Sequence, residues 1–254
     1  YKNPGALPPG AVLVVGSGQS GCQIAEELNA NGKKVYLSIG KAGRVPRRYR
    51  GKDIIRWLFD TGFLDLTPEQ FPPGMGKFDG IPHLSGTNGG HTINLHQLAK
   101  DGITLLGRVQ GAQGSRLTLA PDLHETLAGI DAFEKNVTGM IDGFIQANSL
   151  QAPPQELPQL KYGFDQPVID KLHLEEAGIE TIIWATGYSF DYSFLQMPVL
   201  DKDGFPVQRS GVAEINGLYF VGMPWMPSEK SGFLAGVGET ARNIASRIAE
   251  GAHL

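Results

Sequence analysis

The chain has 254 residues, a formal net charge of −4 and 41% hydrophobic residues. This composition is typical of soluble globular proteins, and the length suffices for one large or two small domains. No apolar run reaches the roughly 18 residues that a membrane-spanning helix requires. The acidic balance disfavours nucleic acid as a partner. The single cysteine, Cys22, excludes an intramolecular disulfide and a multi-cysteine zinc site, and we expect a cytoplasmic protein.

The most informative segment lies near the start of the chain, where an apolar run leads into a glycine-rich turn. The run at 11–15 is rich in valine, which predicts a parallel strand covered on both faces. The turn follows the pattern G-x-G-x-x-G and consists of Gly16, Ser17, Gly18, Gln19, Ser20 and Gly21. Apolar residues then recur at helical spacing up to a stop at 31–32, and a second strand is predicted at 34–39.

Each glycine of this pattern has a distinct physical role. The first permits a tight turn, the second lets backbone amides approach a pyrophosphate, and the third lets the helix pack close to the strand. The amides and the dipole at the helix start then face the anion. Strand, turn, helix and second strand together predict an α/β fold with a Rossmann-like, doubly wound parallel sheet that binds a dinucleotide. The alternative interpretation is an ordinary glycine-rich loop.

The residues after the second strand indicate which nicotinamide cofactor is preferred. NAD-binding proteins usually place an acidic residue there, whereas this chain has eight basic residues between 33 and 52 and no acidic residue until Asp53. Positive charge suits a 2′-phosphate, which predicts NADP(H). The expected contacts are Ser38, Lys41 and Arg44. Accordingly, Arg44→Ala should weaken NADPH binding more than NADH binding. A solvated basic surface is the alternative, and it is the preferred interpretation for Arg47, Arg48 and Arg50.

Farther along, a helix is predicted from Asp53 to near Gly62. The stretch at 67–90 is rich in proline and glycine, so it should form a long insertion without regular structure. It could serve as a lid or substrate-channel loop, or be a plain surface excursion.

Two strand-like runs, at 103–106 and 117–119, predict an added β-hairpin. A helix should begin near Asp122, with apolar residues continuing its buried face to Phe144. Three glycines within this helix disfavour a single unbroken element.

The last part of the chain contains two further strand-and-glycine segments. The segment at 178–188 is an apolar strand that ends in Ala-Thr-Gly. The segment at 217–222 is predicted to be another strand with a glycine exit, followed by an amphipathic helix over 237–248. Neither segment carries a second G-x-G-x-x-G.

These segments together resemble the class B flavin-dependent monooxygenases, which include the flavin-containing monooxygenases, the plant YUCCA-type enzymes and bacterial relatives. The resemblance is carried by the first glycine motif, by 184–188, and by 217–222 with the helix after it, and it spans essentially the whole chain. In that family the first motif binds NADPH, the Ala-Thr-Gly segment links back to the FAD domain, and the last strand and helix complete the flavin pocket. The resemblance therefore implies further cofactor contacts at Ala185, Thr186, Gly187, Tyr188 and Gly222.

The resemblance also implies a domain organisation. Residues 1–10 would be a linker, 11–185 the NADP(H)-binding domain, and 186–254 the C-terminal piece of a second, FAD-binding Rossmann-like domain. Family members begin with an earlier strand and glycine motif that bind FAD. The residues before Ala11 contain no counterpart of this unit. We therefore expect the C-terminal portion of such an enzyme, completed by the FAD-binding half or acting as a homo-oligomer.

In the chemistry that the resemblance implies, NADPH reduces FAD by hydride transfer, and O2 then forms a flavin hydroperoxide that oxygenates a small substrate. No catalytic residue and no metal site can be named from the sequence. Two alternatives remain: an NADP-binding module or redox sensor without catalysis, and a flavin reductase that does not oxygenate. The disulfide reductases are disfavoured because Cys22 has no C-x-x-C partner.

Overall fold

The computed structural model describes residues 1–70, 82–224 and 226–251. The chain divides into two compact units, Tyr1–Trp57 with Gly80–Gly187, and Leu58–Asp79 with Tyr188–Leu254. The first unit contains two apolar clusters on the two faces of a sheet, and the second has a small core of its own.

The strands are β1 (Ala11–Val15), β2 (Val35–Ser38), β3 (Arg48–Tyr49), β4 (Lys52–Asp53), β5 (Thr104–Leu106), β6 (Val109–Gln113), β7 (Arg116–Leu119), β8 (Lys171–His173), β9 (Ile179–Trp184), β10 (Gln208–Arg209) and β11 (Val212–Ala213). The α-helices are α1 (Gln19–Ala30), α2 (Ile54–Asp60), α3 (Leu95–Lys100), α4 (Leu123–Ala147) and α5 (Leu234–Gly251). Short 3-10 turns connect several of them.

The first unit is organised around a four-stranded parallel sheet in the order β5-β2-β1-β9. Strand β1 lies inside this sheet and all five of its residues are buried, because α1, α3 and α4 cover one face while the antiparallel sheet β6-β7-β8 covers the other. The alternating β1 side chains divide between the two clusters, as the period of a strand requires. The predicted Rossmann-like α/β fold is confirmed.

The added hairpin is present, but its strands differ from the prediction. The hairpin pairs β6 with β7, whereas Thr104–Leu106 pairs with β2 in the parallel sheet. Ile103, Leu105 and Leu106 are buried, as the apolar residues of a parallel strand usually are. The polar residues that follow form β6, which is mostly exposed.

Helix α4 is unbroken over 25 residues, although its three glycines disfavour a single unbroken element. Nothing lies within 4 Å of a Cβ built at any of these glycines, so they occupy the open side of the helix. The opposite side packs against the sheet through apolar residues such as Leu123 and Leu127. Tertiary packing therefore outweighs the low helix propensity of glycine here.

The second unit has a small core around Phe205, Phe220 and Met223 and a two-stranded sheet of β10 and β11. The predicted C-terminal helix is α5. The strand predicted over 217–222 is not formed among the described residues, where Tyr219 makes only an isolated bridge with Val212. A strand requires a neighbour to pair with, and the described residues beside this segment supply a single bridge. Part of the predicted insertion, 71–81, lies outside the described residues.

Candidate dinucleotide site

Three segments of the first unit meet at the carboxyl edge of the parallel sheet. The strand register places Val15 beside Ser38 on one side and beside Trp184 on the other. The residues that follow these three strands therefore emerge together, at the edge where α/β proteins bind their ligands. They are the glycine loop (Gly16–Gly21), the basic segment (39–50) and the segment at 185–187.

The glycine loop is shaped by close backbone approaches. Gly16 has a φ of 106°, and a Cβ there would lie 2.5 Å from the carbonyl oxygen of Ala185. A Cβ on Gly21 would overlap the carbonyl oxygen of Gly16. The structure therefore brings Gly16, Gly21 and Ala185 together, and Ala185 is held there because its N–H donates to Val15. Glycine is required at the first and third motif positions by backbone geometry alone.

The open end of this loop is the start of α1. Gly18 is the N-cap of this 12-residue helix, and no side chain caps it. Nothing lies within 4 Å of a Cβ built on Gly18, and the side chains of Gln19 and Ser20 are exposed. The first helical amides lack partners within their own helix and carry a partial positive charge. This end of α1 can therefore accept an anion close to the backbone.

Two of the three serines predicted as contacts, Ser17 and Ser38, are buried. The Oγ of Ser17 accepts from the N–H of Gly40 at 2.9 Å, which ties the glycine loop to the basic segment. The Oγ of Ser38 donates to the carbonyl of Gly107 at 2.9 Å. Both side chains therefore support the backbone of this edge from inside the protein.

The side chain of Arg44 is 6% exposed and forms ion pairs with two described carboxylates. Its Nη2 lies 2.8 Å from a carboxylate oxygen of Asp131 and 2.8 Å from one of Glu134, both on α4. Burial lowers the pKa of Arg44, but the hydrogen bonds and charges of Glu134 and Asp131 outweigh this and raise it. The charge of Arg44 is thus balanced inside the first unit.

The same cluster includes a buried histidine. The Nε2 of His96 lies 3.2 Å from Asp131, and its Nδ1 accepts from the N–H of Gly163 at 3.0 Å. Burial lowers the pKa of His96, which Asp131 only partly offsets. The imidazole is therefore neutral and joins α3, α4 and the segment at 163 into one hydrogen-bonded network with Arg44.

The remaining basic residues differ in their surroundings. Lys41 is exposed, and no ion pair joins it to another described residue. The side chains of Arg47 and Arg50 are partly buried in ion pairs with Asp53 and Asp142, while exposed Arg48 donates to loop carbonyls. The basic segment is therefore a set of intramolecular contacts with one exposed lysine beside the glycine loop.

The other predicted contacts lie in 186–188 and in the second unit. Thr186 and Gly187 follow Ala185, and Gly187 has a φ of 85°. Tyr188 is fully exposed, and Gly222 is exposed with a φ of 76°. Tyr188 and Gly222 belong to the second unit, whereas the glycine loop belongs to the first.

One residue at this site was missed by the sequence analysis. His83 is 1% exposed and lies under the glycine loop, with its Nε2 within hydrogen-bonding distance of the carbonyl oxygen of Ser17. The Sγ of Cys22 also contacts this oxygen, at 3.4 Å, and burial raises the pKa of that thiol. A lone histidine after a proline carries no sequence pattern that could have indicated this position.

Over the described ranges, no group of three or more histidine, cysteine or acidic side chains is arranged to hold a metal ion. In the same ranges, no helix has the length and apolar character needed to cross a membrane.

No family model matches the chain. It is 28% identical over 250 residues to a protein named uncharacterized oxidoreductase CzcO-like from Geobacillus kaustophilus. The matched region covers 98% of this chain and 55% of that protein. Proteins named uncharacterized oxidoreductase CzcO from Bacillus velezensis and Bacillus subtilis are each 27% identical over 249 residues, with the same coverage. The chain spans about half the length of the curated relatives it matches.

Proposed function

We propose that this chain is the dinucleotide-binding part of an NADPH- and FAD-dependent oxidoreductase, and that the enzyme is a flavin monooxygenase acting on a small molecule with O2. The names of the relatives support an oxidoreductase. The order of the glycine motif, the Ala-Thr-Gly segment and the C-terminal helix supports the finer assignment. In this proposal residues 11–185 bind NADP(H), and residues 186–254 belong to the flavin-binding part.

The observation that carries the proposal is the open helix start at Gly18. A phosphate can approach these amides because Gly18 has no Cβ and faces open space, while Gly16 and Gly21 keep the loop tight against the sheet. A solvated surface loop would not need glycine at both closely packed positions. The residues present therefore fit a pyrophosphate.

The neighbouring side chains would select the cofactor. Lys41 is the exposed cation beside the loop and would pair with the 2′-phosphate of NADP(H). Arg44 would support the segment that carries Lys41, because its own charge is balanced by two carboxylates. Bound FAD would supply the redox chemistry, accepting electrons from NADPH. By resemblance, the segment at 185–188 and Gly222 would also contact a cofactor.

Isothermal titration calorimetry with NADPH tests the nucleotide site. Gly18→Ala should leave the melting temperature unchanged, because its Cβ meets nothing in the protein, yet weaken NADPH by at least about tenfold because the methyl occupies the phosphate position. Gly129→Ala is the matched control, since Gly129 also faces open space but lies in α4. Equal NADPH affinity in Gly18→Ala and wild type would refute the site.

The flavin part is tested by a visible absorption spectrum taken after adding FAD and desalting. Retained flavin that NADPH bleaches and air restores supports the oxidoreductase. NADPH binding without retained flavin supports the alternative, a nucleotide-binding module without catalysis of its own.

A further inference from the structure

The contact between His83 and the glycine loop has a defined direction. The carbonyl oxygen of Ser17 can only accept, so the Nε2 of His83 carries the hydrogen. The Nδ1 of His83 is buried and has no hydrogen-bond partner among the described residues. Burial lowers the pKa of His83, and together with the nearby charge of Arg44 it outweighs the hydrogen bond to Ser17, which raises that pKa. His83 is therefore a neutral donor to the loop.

Holding the Ser17 carbonyl also orients the next amide. The C=O of Ser17 and the N–H of Gly18 belong to one planar trans peptide unit and point in opposite directions. With the carbonyl directed inward to His83, the Gly18 N–H is directed away from the interior. Within the described part of the chain, no hydrogen bond of this N–H to another group is found. Gly18 is also the N-cap of α1, and a Cβ built on it would face open space.

His83 is itself held in place on both sides. The backbone N–H of His83 donates to the carbonyl of Gly43 at 3.1 Å, and the backbone of His83 forms a parallel bridge with that of Arg44. The next residue, Leu84, donates to the side chain of Gln19 at 3.2 Å. The segment that carries His83 therefore contacts the basic segment on one side and the first turn of α1 on the other.

We propose that His83 is a positioning residue of the dinucleotide site, whose Nε2–H fixes the Ser17–Gly18 peptide so that the Gly18 amide faces the pyrophosphate. This inference rests on the proposed function. The thiol of Cys22 shares the same carbonyl but cannot replace the imidazole, because an S–H group is a weak donor.

The test compares variants that keep or remove the donor. His83→Leu should weaken NADPH and NADH alike, each by about tenfold, because both cofactors share the pyrophosphate. His83→Gln places an amide N–H at similar reach and should bind within about twofold of wild type. His124→Leu is the matched control, since the His124 imidazole also contacts a backbone carbonyl, that of Gln166, at 3.0 Å, away from the loop.

Rescue by glutamine separates positioning from packing. If His83→Leu does not fold, His83→Asn takes its place, because its shorter amide keeps polarity but does not reach Ser17. Equal affinities of a folded His83→Leu and wild type would overturn the proposal, as would equal affinities of His83→Asn and His83→Gln.

A second readout does not depend on the cofactor. The 15N–1H resonance of Gly18 should shift in His83→Leu, or in His83→Asn if the leucine variant does not fold, and stay in place in His124→Leu. If wild type binds neither nucleotide, the proposed function fails, while this resonance still reports on His83. An unshifted Gly18 resonance in the folded variant without the donor would overturn the positioning role.

Discussion

The glycine loop after β1 and the basic segment after β2 leave the same edge of the sheet, yet they work in different ways. The glycine loop acts through its backbone, with glycines where a Cβ would overlap neighbouring atoms and an open amide end at Gly18. The basic segment acts through side chains, and its arginines contact other parts of the protein. A local backbone requirement can therefore be recognised from spacing, whereas the partner of a charge cannot.

The difference is one of sequence distance. The close approach that requires glycine at the third motif position is between Gly21 and Gly16, which lie within one short motif. The carboxylates that balance Arg44 lie 87 and 90 residues later, on α4. Nothing near Arg44 in the sequence distinguishes an arginine that binds a phosphate from one that anchors a segment.

The largest effect should come from closing the space inside the glycine loop. Gly21→Ala should lower the free energy of unfolding by about 4 kcal/mol, because its Cβ meets a backbone oxygen that cannot move aside. Chemical denaturation measures this, with Gly129→Ala as the control that faces open space. A stability equal to wild type would mean that the loop is less tightly packed than described.

A smaller loss should follow when the charge of the basic segment is removed. Arg44→Met should lower the free energy of unfolding by about 3 kcal/mol, because Glu134 is left buried without its ion pair and Asp131 keeps only its contact with the neutral His96. Binding of NADPH and NADH should weaken to the same extent, because Arg44 supports the backbone of the basic segment, beside which both cofactors would bind. Arg48→Met, at an exposed arginine, is the control. Loss of NADPH binding alone would place Arg44 at the 2′-phosphate.

The smallest effect should come from Lys41→Ala. We expect about fivefold weaker NADPH binding, unchanged NADH binding and unchanged stability, because Lys41 is exposed and has no ion pair with a described residue. Calorimetry with both cofactors measures the ratio. An equal effect on NADPH and NADH would show that Lys41 does not bind the 2′-phosphate, and another residue would then determine the cofactor preference.

Other elements follow the same distinction. Strand β1 could be predicted because a buried parallel strand is apolar over its whole length. Strand β9 is only partly buried, and its isoleucines and tryptophan indicated a strand nonetheless. The unbroken α4 could not, since its glycines lie on an open side that only packing defines. The segment at 217–222 has the composition of a strand but makes only one bridge to a described neighbour, because pairing depends on another part of the chain.

The sequence by itself determined the α/β fold class, the strand, turn and helix around Gly16–Gly21, and the position of the helix start, since these depend on local periodicity and on residues that lack a Cβ. The tertiary structure alone decided that Arg44 pairs with Asp131 and Glu134, that Ser38 is buried, and that His83 lies under Ser17. These contacts join residues far apart in the chain. Their energies depend on burial and on partner geometry, which the folded protein creates.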